Sequence, residues 1–131
     1  KKAFGDKVTI INGDKPLLRI NRQGEKAVFT VYGTPWCGKE GKNTDMSAPL
    51  GGICLLHRSE NNAVKLAENE KIVPFLLGQM FFGRKETDVA YLLETLDLLI
   101  KNIPIYSLGC NMEEEAALVA RNALVCGETE K

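Results

Sequence analysis

Apolar residues fall into short runs in the first half of the chain and into helical stripes in the second. Val8-Thr9-Ile10-Ile11 is nearly continuous in apolar character, the pattern of a strand inside a sheet. The turn formers Asn12-Gly13-Asp14-Lys15-Pro16 end it. Residues 17–20 predict a second strand, Asn21-Arg22-Gln23-Gly24 a hairpin-like turn, and residues 27–32 a third strand. A glycine-rich loop follows and runs on through Asn43-Thr44-Asp45 to Pro49. Residues 52–58 predict a fourth strand, residues 59–62 a turn, and Ala63-Val64-Lys65-Leu66 a short fifth strand.

The period then lengthens. A helix is expected around residues 68–81, with Pro74 tolerable only where the main helix starts near it. A second, over about 87–101, sets Val89, Leu92, Leu93, Leu96, Leu99 and Ile100 on one face. Ile103-Pro104-Ile105-Tyr106-Ser107-Leu108 reads as an edge strand or an extended segment, since proline suits an edge. Asn111 reads as the cap of a last helix, with Glu114 at its third position. Met112, Ala116, Val119 and Ala123 are its expected buried face. Strands precede helices, with hairpin-like joins. This predicts an α/β chain of α+β-like order, a mixed β-sheet with helices packed on it, in a single domain over 1–131.

Composition narrows the partners. Seventeen basic and seventeen acidic residues cancel. No basic stripe is interleaved with aromatics, so nucleic acid is not an expected partner. No apolar run has membrane-spanning length, so no membrane is expected either. Cys37, Cys54, Cys110 and Cys126 are widely spaced without a CxxC pair, and His57 is the only histidine, so a zinc site is not expected. Cys54 sits in an apolar run and reads as a small core residue. This cysteine usage predicts a reducing, cytoplasmic location. Ala3-Phe4-Gly5 reads as the tail of a helix ending on a glycine cap, hence a sequence that starts partway through a domain. A loose N-terminal tail is the alternative.

The densest chemistry is Tyr32-Gly33-Thr34-Pro35-Trp36-Cys37-Gly38-Lys39-Glu40-Gly41-Lys42, which holds the only tryptophan. Loops that merely connect are usually shorter and more polar, so this one reads as built to hold something. The other reading has Trp36 plugging the core beneath a turn. Amides of a glycine-rich turn form an anion nest, and Lys39 or Lys42 offers a point charge to phosphate. The loop is not a Walker A motif, because the GxxxxGK[ST] spacing is absent. Asp14, at the end of an apolar run, is placed like the acid that holds magnesium beside phosphates in P-loop enzymes. Aspartate is equally common in a turn after a strand. Arg58, at the end of the fourth strand, is either an anion clamp or a solvated strand end.

These segments, in this order, resemble the nucleotide-binding kinase fold shared by HPr kinase/phosphorylase and phosphoenolpyruvate carboxykinase, and more closely a bacterial branch of HPr-kinase-like proteins. The residues that carry the resemblance are Ile11-Asn12-Gly13-Asp14-Lys15-Pro16-Leu17-Leu18, Tyr32-Gly33-Thr34-Pro35-Trp36-Cys37-Gly38-Lys39, Pro49-Leu50 with Ile53-Cys54-Leu55-Leu56, and Pro104-Ile105-Tyr106-Ser107-Leu108. The resemblance implies part of an ATP-dependent phosphotransferase with ATP and Mg2+ as cofactors. The expected acceptor is a protein serine or a small molecule. It implies Asp14 for magnesium, Gly33, Thr34, Gly38 and Lys39 for phosphate or acceptor, and Lys39 or Arg58 for charge neutralisation. It also implies a Walker A loop upstream of Lys1, with residues 1–4 as the last turn of the phosphate-binding helix. This chain holds no such loop, so alone it is expected to be inactive. The acid pair of similar sequences stands here as Gly13-Asp14, which leaves no second acid at that place to act as general base.

Two other readings compete. One is a non-catalytic module that recognises a protein or peptide through the Trp36 loop. The other is a homo-oligomer, in which a second copy covers an apolar edge left open at residues 8–11.

Overall fold

The computed structural model describes residues 2–24, 26–80 and 85–127. The chain is mixed α/β, and its strands divide between two small sheets instead of the single sheet expected. It forms two compact units, Lys1–Leu50 and Gly51–Lys131.

The first unit is built on an antiparallel sheet of β1 (Leu17–Gln23), β2 (Lys26–Tyr32) and β3 (Ser47–Pro49), in that order. Leu17 lies opposite Tyr32 and Gln23 opposite Lys26. Both strands thus run further than their apolar cores suggest, and Gly24 at φ 65° supplies the left-handed backbone of a tight turn. Alternation sends Ala27 and Phe29 to one face, where Phe29 is 1% exposed, and Val28 to the open face. The third strand is short and pairs Val31 with Ala48. Serine and proline at its ends hid it in the sequence.

Residues 8–11 are not the strand expected of them. Val8 is extended, at φ −126° and ψ 126°, yet no ladder forms along the segment. Instead the Ile11 carbonyl accepts from the Thr44 amide at 2.9 Å, and Asn12 makes an isolated bridge with Asn43. The end of the segment is thus tied to the loop that follows β2 and not to a sheet strand. Gly5 has a positive φ of 53°, but it opens a 3-10 turn, Gly5–Lys7, and residues 2–4 form only a turn, so among the described residues it caps no helix.

The second unit holds β4 (Ile53–Arg58), β5 (Ala63–Leu66), α1 (Asn69–Gln79), α2 (Glu86–Asn102), β6 (Ile105–Cys110) and α3 (Glu115–Cys126). Its sheet is mixed. β6 lies in the middle, parallel to β4 and antiparallel to β5. The proline argument for an edge strand therefore fails. Pro104 stands just before β6, where no N–H is needed, and its carbonyl accepts from the Ile53 amide at 3.0 Å. One face of this sheet sets Val64, Tyr106 and Leu108 against Ala123 of α3, with Cys54, Cys110, Val119 and Ala120 packed around them.

Three helix expectations change. Pro74 lies inside α1, which starts five residues earlier, at Asn69. The lost amide bond would reach Glu70, an exposed residue whose carbonyl water can satisfy. On α2, Leu92, Leu96 and Leu99 are buried, whereas Val89 and Leu93 stay exposed. Met112 is fully exposed because α3 begins only at Glu115. Asn111 accordingly accepts the Glu113 amide at 2.9 Å, a local turn ahead of the helix. Phe81, the expected end of the first helix, and the tail at 128–131 lie outside the described residues. No helix among the described residues is long and apolar enough to cross a membrane.

Candidate functional site: the Asp14 turn and the Trp36 loop

Two segments of the first unit, residues 11–15 and 33–44, are tied together around Thr34. The Asn12 side-chain amide donates to the Thr34 carbonyl at 3.0 Å and to its hydroxyl at 3.1 Å. That hydroxyl donates to the Lys15 carbonyl at 2.6 Å. The Asn43 side-chain amide reaches the same Thr34 carbonyl at 3.0 Å. Backbone bonds complete the tie, from Gly13 to the Lys42 carbonyl at 2.8 Å and from Lys15 to the Trp36 carbonyl at 3.2 Å. Thr34 therefore pins the loop with the atoms it would offer a ligand. Gly33 has a packing role as well. A Cβ there would collide with the Thr44 carbonyl and come within 2.9 Å of the Ile11 oxygen.

The outer part of the loop is different. Gly38, at φ 70°, lies under the Asp14 side chain; a Cβ on it would stand 3.2 Å from Asp14 Cβ and 3.7 Å from Oδ2. Asp14 is exposed, and its amide donates to Asn12 Oδ1 at 2.8 Å, which fixes the turn that presents it. Lys39 and Glu40 occupy the middle of a turn closed by the Gly41 amide on the Gly38 carbonyl at 3.3 Å. The Lys42 ammonium bonds the Glu40 carboxylate, and this bond and its charge hold the Glu40 pKa below the ordinary glutamate value. Lys39 forms no ion pair among the described residues, so it is the lysine left to meet an anion. Trp36 is 70% exposed, which overturns the reading of it as a core plug.

Compared with known protein families, with curated proteins and with solved structures, the chain matches none. The site is therefore weighed on its own geometry. Of the residues singled out in the sequence, Asp14, Gly33, Thr34, Gly38 and Lys39 meet in the first unit. Arg58 is exposed at the end of β4 in the second, opposite Cys110. The sequence reading missed Asn12 and Asn43. Asparagine in a polar turn bonds nearby backbone, which was the available signal.

Among the described residues no three His, Cys, Asp or Glu side chains come together. Asp14 is thus a single hard-oxygen donor. Magnesium keeps several waters and takes one or two carboxylates, so this donor fits a magnesium held by one carboxylate and water, and does not form a closed protein cage.

Proposed function

We propose that the Asp14 turn and the Gly38–Lys39 turn form one wall of a phosphate-handling site, in part of an ATP-dependent, HPr-kinase-like phosphotransferase. One observation carries the reading: an exposed carboxylate sits on a left-handed glycine whose chain neighbour is a lysine with no ion pair among the described residues. Asp14 would hold Mg2+, which supplies charge neutralisation for a phosphoryl group. Lys39, the residue after Gly38, would supply a second positive charge. The glycine at 38 leaves room that any side chain would fill. Asp14 is the one acid in the turn, so a general base for an attacking hydroxyl has to come from elsewhere. The acceptor would be a protein serine or a small molecule, in the cytoplasm, on a partial phosphoenolpyruvate-carboxykinase-like fold. The chain itself contains no Walker A motif, and the proposal covers only the metal-side and acceptor-side groups.

A second reading is favoured by Trp36. An indole that is 70% exposed on an internally braced loop is suited to anchor a peptide or protein partner. Mn2+, a paramagnetic stand-in for Mg2+, separates the two. It should broaden the amide resonances of Gly38 and Lys39 selectively, and Asp14→Asn should abolish the effect. Uniform broadening, or broadening that survives Asp14→Asn, removes the phosphate-site reading and leaves the Trp36 anchor.

A further inference from the structure

The two faces of the β4–β6–β5 sheet differ. The face carrying Tyr106, Leu108 and Val64 packs on α3. On the opposite face, the register sets Leu55, Ser107 and Lys65 side by side across the three strands, with His57 two residues further along β4. Lys71 and Phe75, one turn apart on α1, border the same space. Together they enclose a groove of about 360 Å³, within the size range of small-molecule sites.

Its chemistry is amphipathic. Leu55 is buried beneath it and Phe75 is 44% exposed beside it, which gives an apolar slot with an aromatic wall. The polar groups are cationic or neutral donors. His57 Nδ1 lies 3.5 Å from the Ser107 hydroxyl. Lys65 and Lys71 both reach Glu68, at 3.6 Å and 2.8 Å, so two ammonium groups share one carboxylate. The pairing is solvent-exposed and therefore weak. Each ammonium also has three N–H donors, of which Glu68 takes at most one. Two ammonium groups with spare N–H donors thus stand at the mouth of an apolar slot, Lys71 also feeling the charge of Glu70.

We propose that this groove binds a small organic anion with an apolar body of about one ring, its charge between Lys65 and Lys71 and its ring against Phe75 and Leu55. The site lies wholly in the second unit and is independent of the phosphate-handling reading.

Phenyl phosphate is the probe. His57 is the only histidine, so its Cε1 proton gives a single reporter resonance at fixed pH. Phenyl phosphate should shift that resonance saturably. Inorganic phosphate, which lacks the ring, and benzyl alcohol, which lacks the charge, should each bind at least about fivefold more weakly. Lys65→Met combined with Lys71→Met should weaken phenyl phosphate at least about tenfold. The proposal is overturned by a non-saturating shift, by equal binding of phenyl phosphate and either control, or by an unchanged affinity in the double variant. The two control probes decide the matter on the unaltered chain, so it stays testable if the variant misfolds.

Discussion

Gly33→Ala tests the packing of the Thr34 tie directly. The position needs no left-handed backbone, so the penalty comes from space alone. An added Cβ meets the Thr44 carbonyl oxygen and stands 2.9 Å from the Ile11 oxygen and 3.0 Å from the Thr44 carbonyl carbon. All three are backbone atoms and cannot rotate away. The loop has to move, which strains the bond from Thr44 to Ile11 at 2.9 Å and the longer one from Gly33 to Met46 at 3.5 Å. Overpacking costs about 1–3 kcal/mol and each of the two compromised bonds about 0.5–1.5 kcal/mol net, so the expected loss is roughly 2–6 kcal/mol. Urea unfolding followed by Trp36 fluorescence reads the first unit, because Trp36 is the only tryptophan. Gly78→Ala is the control. It lies within α1 with nothing inside 4 Å of a new Cβ, and should gain roughly 0.5–1 kcal/mol by helical circular dichroism. A Gly33→Ala loss below about 0.5 kcal/mol would show that the two segments are not closely packed.

Phe29→Ala, at the most buried large side chain described, should cost about 3–5 kcal/mol in urea unfolding. Trp36→Ala should leave stability within about 0.5 kcal/mol, and in the native protein iodide should quench the indole efficiently. Thiol titration with a disulfide reagent should modify exposed Cys126 first and Cys54 late, since burial raises the Cys54 pKa and thins its thiolate. A hydrogen bond and charge from Lys71, with a smaller contribution from Lys65, lower the Glu68 pKa. Its stabilisation is present above the ordinary glutamate pKa and fades as pH falls through the lowered value. In a carbon-detected NMR titration, Lys71→Met should return Glu68 toward the ordinary range.

What was legible in the sequence follows from range. Strands β1, β2, β4 and β5 and helix α2 declare themselves through local periodicity, and the structure keeps them within a few residues. The errors sit where a distant partner decides. Residues 8–11 look like a buried strand, but whether an apolar run joins a sheet depends on its distant partners, and here Thr44 takes the Ile11 carbonyl. Pro104 looked like an edge marker because its position one residue outside β6 is invisible without the register. At the candidate site, glycine spacing flagged Gly33 and Gly38 alike. Only coordinates separate them: Gly33 makes room for backbone, while Gly38 makes room for the Asp14 carboxyl group.

The central place of β6 constrains how the second unit assembles. β4 and β5 do not touch each other in the ladder; each is joined only to a strand that leaves the ribosome some forty residues after β5 does. Ile53 has to wait for Ile105, and Val64 for Leu108. The β1–β2 hairpin pairs segments close along the chain, Gln23 with Lys26, and has no such wait. Long-range pairing carries a loop-closure cost that a hairpin avoids. The first unit should therefore acquire its ladder during synthesis, whereas a nascent chain stopped before residue 105 should show no protected amides in β4 or β5.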